Sequence, residues 1–368
     1  MSNAFWIQLV GAIVAIACAL PGVFLVLRRS AMISDAISHT VLFGIVVGFL
    51  VLDVDPTSPI LILTAALSGL LTVWLIELLQ NTKRLNSDAA IGLVFPILFS
   101  IAVILINTQI RNAHVDEDAV LLGHLIFAPV NRLVLLGINL PEGVWVMGGI
   151  LLINLTFLVL FYKELKITTF DPGLAAALGI SPALVHYSLM GMVSVTAVGA
   201  FDHVGAILVV ALMVAPPATA YLLTNKLERM LVLSALFGAA SAVAGYWVSN
   251  IFSVNVAGAM ASMTGVFFIL VLVFAPERGL LAQRLETAER RKRFAVEMLV
   301  VHLMAHEGQP DELEESSISH LSEQLRWQPE FAQQVVRRAN RGNYINRQNG
   351  HLELTDNGRQ LAQDAMRR

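Results

Sequence analysis

The chain has 368 residues, of which 56% are hydrophobic and only 14% charged, with a mean hydropathy of +0.71. Water-soluble domains carry about 25% charged residues, so a soluble enzyme or binding domain is excluded for most of the length. The charge gathers at one end, where residues 276–368 hold 14 of the 24 Lys/Arg and 14 of the 27 Asp/Glu. An intrachain disulfide framework and a thiolate cluster are both excluded by a single cysteine, Cys18, which reads as a small helix-packing residue.

A spanning helix needs about 20 mostly apolar residues. Candidate stretches are 5–27, 33–52, 59–79, 88–107, 143–162, 183–200, 204–223, 230–249 and 256–275. Charged or turn-forming residues punctuate them: Arg28-Arg29, Asp53 to Pro56, Lys83 to Asn86, Lys163-Glu164 and Lys226 to Arg229. With the first residue outside, Arg28, Arg29, Lys83, Arg84, Lys163, Lys166, Lys226 and Arg229 face the cytoplasm, and only Arg111 and Arg132 face out. That bias sets the orientation and puts the tail after Pro276 in the cytosol. Residues 108–142, with the acidic Asp116-Glu117-Asp118, read as a surface or re-entrant element, so eight spans remain as open as nine. Small-residue patterns at Gly44/Gly48 and Gly238/Gly245 suit close helix packing.

The second apolar stretch carries the chemistry. An Asp in a spanning segment costs about 2.5–3.5 kcal/mol on insertion scales and is a functional candidate by default. Asp35 and His39 lie four residues apart, on one helix face, where a carboxylate and an imidazole can grip one divalent ion. Oxygen plus nitrogen suits manganese, ferrous iron or zinc, and no thiolate or methionine pair favours cuprous copper. The competing structural reading is an Asp–His hydrogen bond fastening neighbouring helices. Ser34 and Ser38 stand beside the pair as supporting or packing groups. Asp202 and His203 read as loop residues between two spans or as an entry station. His114 and His124 flank the acidic cluster as candidate docking residues, and His186 reads as a packing residue on a helix face.

Three segments resemble the permeases of ATP-binding-cassette importers for manganese, zinc and iron. They are LRRSAMISDAISHTVLFG (27–44), FDPGLAAALGI (170–180) and AVGAFDHVGAILVVALMVAPPATAYLL (197–223). The resemblance covers most of residues 1–280. It implies a polytopic all-α membrane domain in a two-fold permease assembly, homo- or heteromeric. Metal would arrive from an extracellular binding protein and reach Asp35 and His39, and ATP would be hydrolysed on a separate subunit. No phosphate-binding Gly-x-x-x-x-Gly-Lys-Ser/Thr stands in this chain, which is expected not to be an enzyme and to keep no cofactor beyond the transported metal. Asp171 can cap a short helix, Pro172 suits its first position and Gly179 can end it. Such a two-turn helix, presenting Ala175 to Leu178, cannot span but can seat in a groove of another protein; the resemblance makes it the coupling helix to the ATPase.

Residues 286–368 read as a small α+β winged-helix domain after the transmembrane domain of 1–280. The expected order is a helix over 287–306, a helix-turn-helix of Ile318–Leu325 and Glu330–Asn340, a strand–turn–strand wing over 344–354, and a closing helix capped by Thr355. LTDNGRQLAQ (354–363) resembles the wing exit of iron- and manganese-dependent repressors. Arg337, Arg338 and Arg341 sit on the would-be recognition helix, yet the tail is neutral overall, whereas DNA-binding modules are usually basic. Nucleic acid is therefore not the expected partner, and a regulatory contact with the ATPase or the other permease is favoured over a membrane-anchored metal-responsive transcription factor. His302 and His306, at i and i+4, form a candidate metal sensor, and Arg290 to Arg293 a membrane-surface or solvated patch. Taken together, the sequence reads as a multi-pass cell-membrane permease subunit for divalent metal, manganese ahead of iron or zinc.

Overall fold

A computed structural model describes residues 2–53, 60–109, 123, 125–135, 137–310, 315–317, 320, 325–348 and 351–367. The chain forms two compact units, Met1–Gly279 and Leu280–Arg368. His114, His124, the acidic cluster at 116–118 and nearly all of the expected helix Ile318–Leu325 lie outside the described residues.

The first unit is a helical bundle. In chain order its helices are α1 (Asn3–Leu27), α2 (Met32–Leu52), α3 (Ile60–Asn81) and α4 (Ser87–Gln109), then α5 (Glu142–Leu160), α6 (Tyr162–Phe170), α7 (Pro172–Ala177), α8 (Pro182–Leu223), α9 (Leu227–Phe252) and α10 (Val256–Phe274). A two-stranded antiparallel hairpin, β1 (Arg132–Leu135) with β2 (Ile138–Pro141), occupies part of the 108–142 stretch. Eight of these helices are long and apolar enough to cross a membrane. Exposed Leu63, Leu67, Trp74, Ile104, Leu152 and Val159 make the outer faces apolar, as lipid requires and water would penalise.

Helix α8 is too long for one crossing. Its 42 residues would reach about 63 Å at 1.5 Å per residue, twice the ~30 Å hydrocarbon core. Gly205 breaks it with φ 76° and ψ 165°, a conformation open to glycine and strained for other residues. The two arms fold back on one another in direction. His186 on the first arm lies 3.3 Å from Arg28, and Pro217 on the second packs against Gly22, only six residues earlier than Arg28. A straight helix would hold 186 and 217 about 46 Å apart. Among the described residues, then, one of the eight candidate spans consists of two arms that reverse direction about Gly205.

Close helix contact relies on missing side chains. Helix α1 is almost wholly buried from Val10 to Leu25, and Gly22 lets the Met213 carbonyl approach where a β-carbon would stand. Gly44 and Gly48 admit Thr64, Ala65 and Ser68 of α3 in the same way, and Gly245 admits Met260, as the small-residue patterns imply. Buried Asn154 of α5 donates to the Ala17 carbonyl (3.0 Å) and Thr196 Oγ1 (2.9 Å), tying three helices.

The second unit contains α11 (Leu280–His306), α12 (Pro329–Arg341), the antiparallel pair β3 (Ile345–Gln348) and β4 (His351–Leu354), and α13 (Asp356–Met366). Its core joins Val296, Leu299, Val300 and Leu303 of α11 to Val335, Val336, Ile345 and Leu352. Thr355 caps α13 through the Gly358 amide at 3.1 Å. Helix α11 starts seven residues earlier than the expected 287, since charged residues of its first turns stay helical by pairing along the helix, Glu286 with Arg290 at 2.5 Å.

Candidate metal route and its supports

Asp35 stands in the first turn of α2, and His39 one turn on, so both project from one face. His39 Nε2 lies 3.5 Å from Asp35 Oδ1, and the two side chains are 35% and 33% exposed respectively. Neither side chain is fully buried. The pair is made within one helix, so it does not fasten two helices together. The imidazole stacks on Phe95 of α4 with centroids 5.3 Å apart and meets Phe99 edge-on at 6.3 Å. These rings fix its plane without occupying its nitrogens. Ser34 and Ser38 are buried, and their hydroxyls donate to the Ala31 and Ser34 carbonyls at 2.7 and 2.9 Å. They serve α2 itself and do not hold the Asp–His pair.

Behind the start of α2 lies a polar cluster that sequence pattern alone does not announce. Arg28, in the turn between α1 and α2, donates to Thr168 Oγ1 at 3.0 Å and Thr169 Oγ1 at 3.1 Å, both on α6. Its guanidinium also sits 3.3 Å from His186 Nδ1. His186 Nε2 pairs with Glu77 Oε1 of α3 at 2.8 Å, and the Tyr187 hydroxyl donates to the other oxygen of Glu77. His186 is thus a member of an ion-pair network and not a packing residue. No local periodicity reveals this, because the partners come from α3, α6 and α8. The signal the sequence offered was a lone acid, Glu77, inside a 22-residue apolar helix.

The network leads to the connecting segment. Residues 162–170 form helix α6, because Leu165 and Thr168 are buried on one side and Arg28 anchors its last turn. Asp171 then caps α7 by accepting from the Leu174 amide at 2.9 Å, Pro172 takes the first position, and Gly179 follows with φ 80°. Helix α7 is six residues long, shorter than expected, and its faces differ from the simple expectation. Ala175 is fully buried, whereas Leu174 and Leu178 are 49% and 61% exposed. Leu174 is the exposed residue the sequence reading passed over.

At the opposite end of the bundle, Asp202 is exposed and His203 half-buried, just before the Gly205 turn. With Glu142, Gly143, Asn131 and Leu125 they line a cavity of about 100 Å³.

In the tail unit, Arg338 pairs with Glu289 at 2.5 Å, Arg291 lies over the Phe331 ring at 4.7 Å, and Arg293 reaches Glu297 at 3.4 Å. Much of the basic character is therefore spent inside the unit. Burial, with the nearby His306 second, holds the His302 imidazole below the ordinary histidine range, against the opposing pull of Glu315.

Residues 1–275 match the family described as the ABC 3 transport family. The chain belongs to this family. Zinc transport system membrane protein TroD of Treponema pallidum (strain Nichols) is 44% identical over 97% of this chain and 97% of its own length. Manganese transport system membrane protein MntD of Bacillus subtilis (strain 168) is 45% identical, with 80% of this chain covering 100% of that one. The tail is therefore within the match to the Treponema protein, while the whole Bacillus protein aligns to 80% of this chain. Among solved structures, PsaBC from Streptococcus pneumoniae in complex with Fab is similar with a TM-score of 0.64 and 28% identity, over 77% of this chain and 96% of that one.

Proposed function

We infer that this family member is the multi-pass permease subunit of an importer for a divalent transition metal ion. Relatives named for zinc and manganese transport support the cargo class, and the hard carboxylate with a single imidazole favours manganese or ferrous iron over zinc. The observation that carries the site is the Asp35–His39 pair, on one face of α2 with a third of each side chain accessible. Two ligands hold an ion weakly, which suits a group that must pass it on. A second permease chain, presenting the same pair across an interface, would complete the coordination for the moment of passage.

Hydrolysis of ATP is assigned to a partner chain, docked on α7 through exposed Leu174 and Leu178. The turn holding Arg28 joins α6 directly to the base of α2, so movement of α7 is felt one turn from Asp35. Metal would enter from an external binding protein past Asp202 and His203. The tail, read as a cytosolic winged-helix domain, regulates or stabilises the assembly; DNA binding is disfavoured by the internal pairing of Arg338.

The test is uptake of manganese, iron and zinc by cells carrying the wild type, Asp35→Ala or His39→Ala, with membrane levels matched. Near-abolished uptake in both variants is expected. Normal accumulation of all three metals would remove the site assignment.

A further inference from the structure

The tail unit contains a second constellation that transport does not use. His302 and His306 lie on one face near the end of α11, with ring centroids 4.9 Å apart. Glu315, beyond the end of that helix, returns to them, its Oε2 3.2 Å from His302 Nε2. One ligand atom from each of the three residues lies within 4.8 Å of the other two. His320 approaches from the other side, its Nε2 3.1 Å from Glu315 Oε1. The side chains of His302 and Glu315 are each only 10% exposed.

Three features distinguish this cluster from a surface ion pair. An acid and an imidazole are nearly enclosed at a site where water does not repay their desolvation. For metal–ligand bonds of about 2.0–2.2 Å, a tetrahedral ion sets its ligand atoms about 3.3 Å apart, and the His302–Glu315 distance of 3.2 Å is close to that. Finally, His306 and Glu315 line a cavity of about 180 Å³ with Glu307, Ser316 and Arg359, which supplies a route in and room for a bound water.

We propose that the tail binds a divalent transition metal ion of its own, through His302, His306 and Glu315, with His320 completing the set. This donor set is nitrogen-rich and fits zinc, cobalt(II) or ferrous iron, unlike the sparse pair at Asp35 and His39. With ligands on α11 and on the segment after it, the ion would cross-link two parts of the tail and so report metal supply through the order of that unit. The inference does not depend on where the transported ion crosses the membrane.

The experiment uses the full chain, purified metal-free in detergent and carrying Asp35→Ala and His39→Ala so that ions at those residues do not register. Equilibrium dialysis against zinc gives stoichiometry, and cobalt(II) titration gives the visible absorption of a four-coordinate ion. One ion per chain is expected in this background. Adding His302→Ala or Glu315→Gln should remove the cobalt spectrum, and the half-exposed His306→Gln should weaken zinc binding by about tenfold or more, the loss that follows even when a group merely orienting a ligand is removed. His306→Gln, with circular dichroism unchanged, keeps the test valid if a buried substitution unfolds the tail. A background chain that binds no zinc or cobalt, or one whose binding is unmoved by all three changes, overturns the proposal.

Discussion

Replacing Arg28 by Met keeps most of the side-chain stem and removes the guanidinium that joins α6 to the turn before α2. Hydrogen bonds from a charged donor contribute about 1.5–3 kcal/mol each, and Arg28 makes two to hydroxyls, of Thr168 and Thr169, besides its contact with His186 Nδ1 at 3.3 Å. The net loss is smaller than the sum. Thr168 retains its own donation to the Glu164 carbonyl at 2.7 Å, His186 retains Glu77 at 2.8 Å, and no buried charge is orphaned. We expect about 2–3 kcal/mol, which at ~2–3 °C per kcal/mol for a unit of this size lowers the apparent Tm by about 4–9 °C. The assay is thermal unfolding of the detergent-solubilised chain, followed by metal uptake at matched membrane levels, which should fall more than stability alone explains. A double-mutant cycle with Thr168→Val isolates the contact and should return a coupling of about 1 kcal/mol or more. An unchanged Tm together with additive single effects would refute the reasoning.

Four further outcomes follow from the surroundings of single residues. Gly22→Ala forces a β-carbon against the Met213 carbonyl and to 3.1 Å from Pro217 Cγ; the cost should reach the upper part of the ~1–3 kcal/mol range for overpacking because backbone cannot step aside. Gly92→Ala, with nothing within 4 Å, is the thermal-unfolding control and should lose nothing. Asn154→Ala deletes bonds to α1 and α8, and at ~0.6–1.7 kcal/mol per interhelical bond in a membrane should lower stability by about 1–3 kcal/mol in the same assay. Leu178→Asp changes a residue 61% exposed and should leave the melting curve in place, while co-purifying ATPase falls about tenfold, the ~1.4 kcal/mol scale of an interface anchor; undiminished co-purification would place the docking surface elsewhere.

Long apolar runs between charged turns are legible because lipid leaves the backbone no alternative to helix, and the expected stretches at 5–27, 33–52 and 88–107 lie within or close to α1, α2 and α4. The separation of two spans at 183–200 and 204–223 was also readable, although the chain stays helical through Asp202 and His203 and reverses only at Gly205. Spacing alone set Asp35 and His39 on one face. It did not reveal that α6 is helical, that Ala175 turns inward, or that Ser34 and Ser38 bond their own helix. Each of these depends on what lies opposite, and a residue's neighbours across the bundle leave no trace in its local pattern.

By itself, then, the sequence determined the membrane class, the order of the spans, the caps at Asp171 and Thr355, and the carboxylate–imidazole couple, because these follow from hydropathy and from geometry within one or two helical turns. Only the tertiary structure decided that Arg28, Glu77, His186 and Tyr187 form one network, and that Glu315 returns to His302 across a break in the helix. Those contacts join residues that are distant in the chain, and packing in three dimensions is what selects such partners.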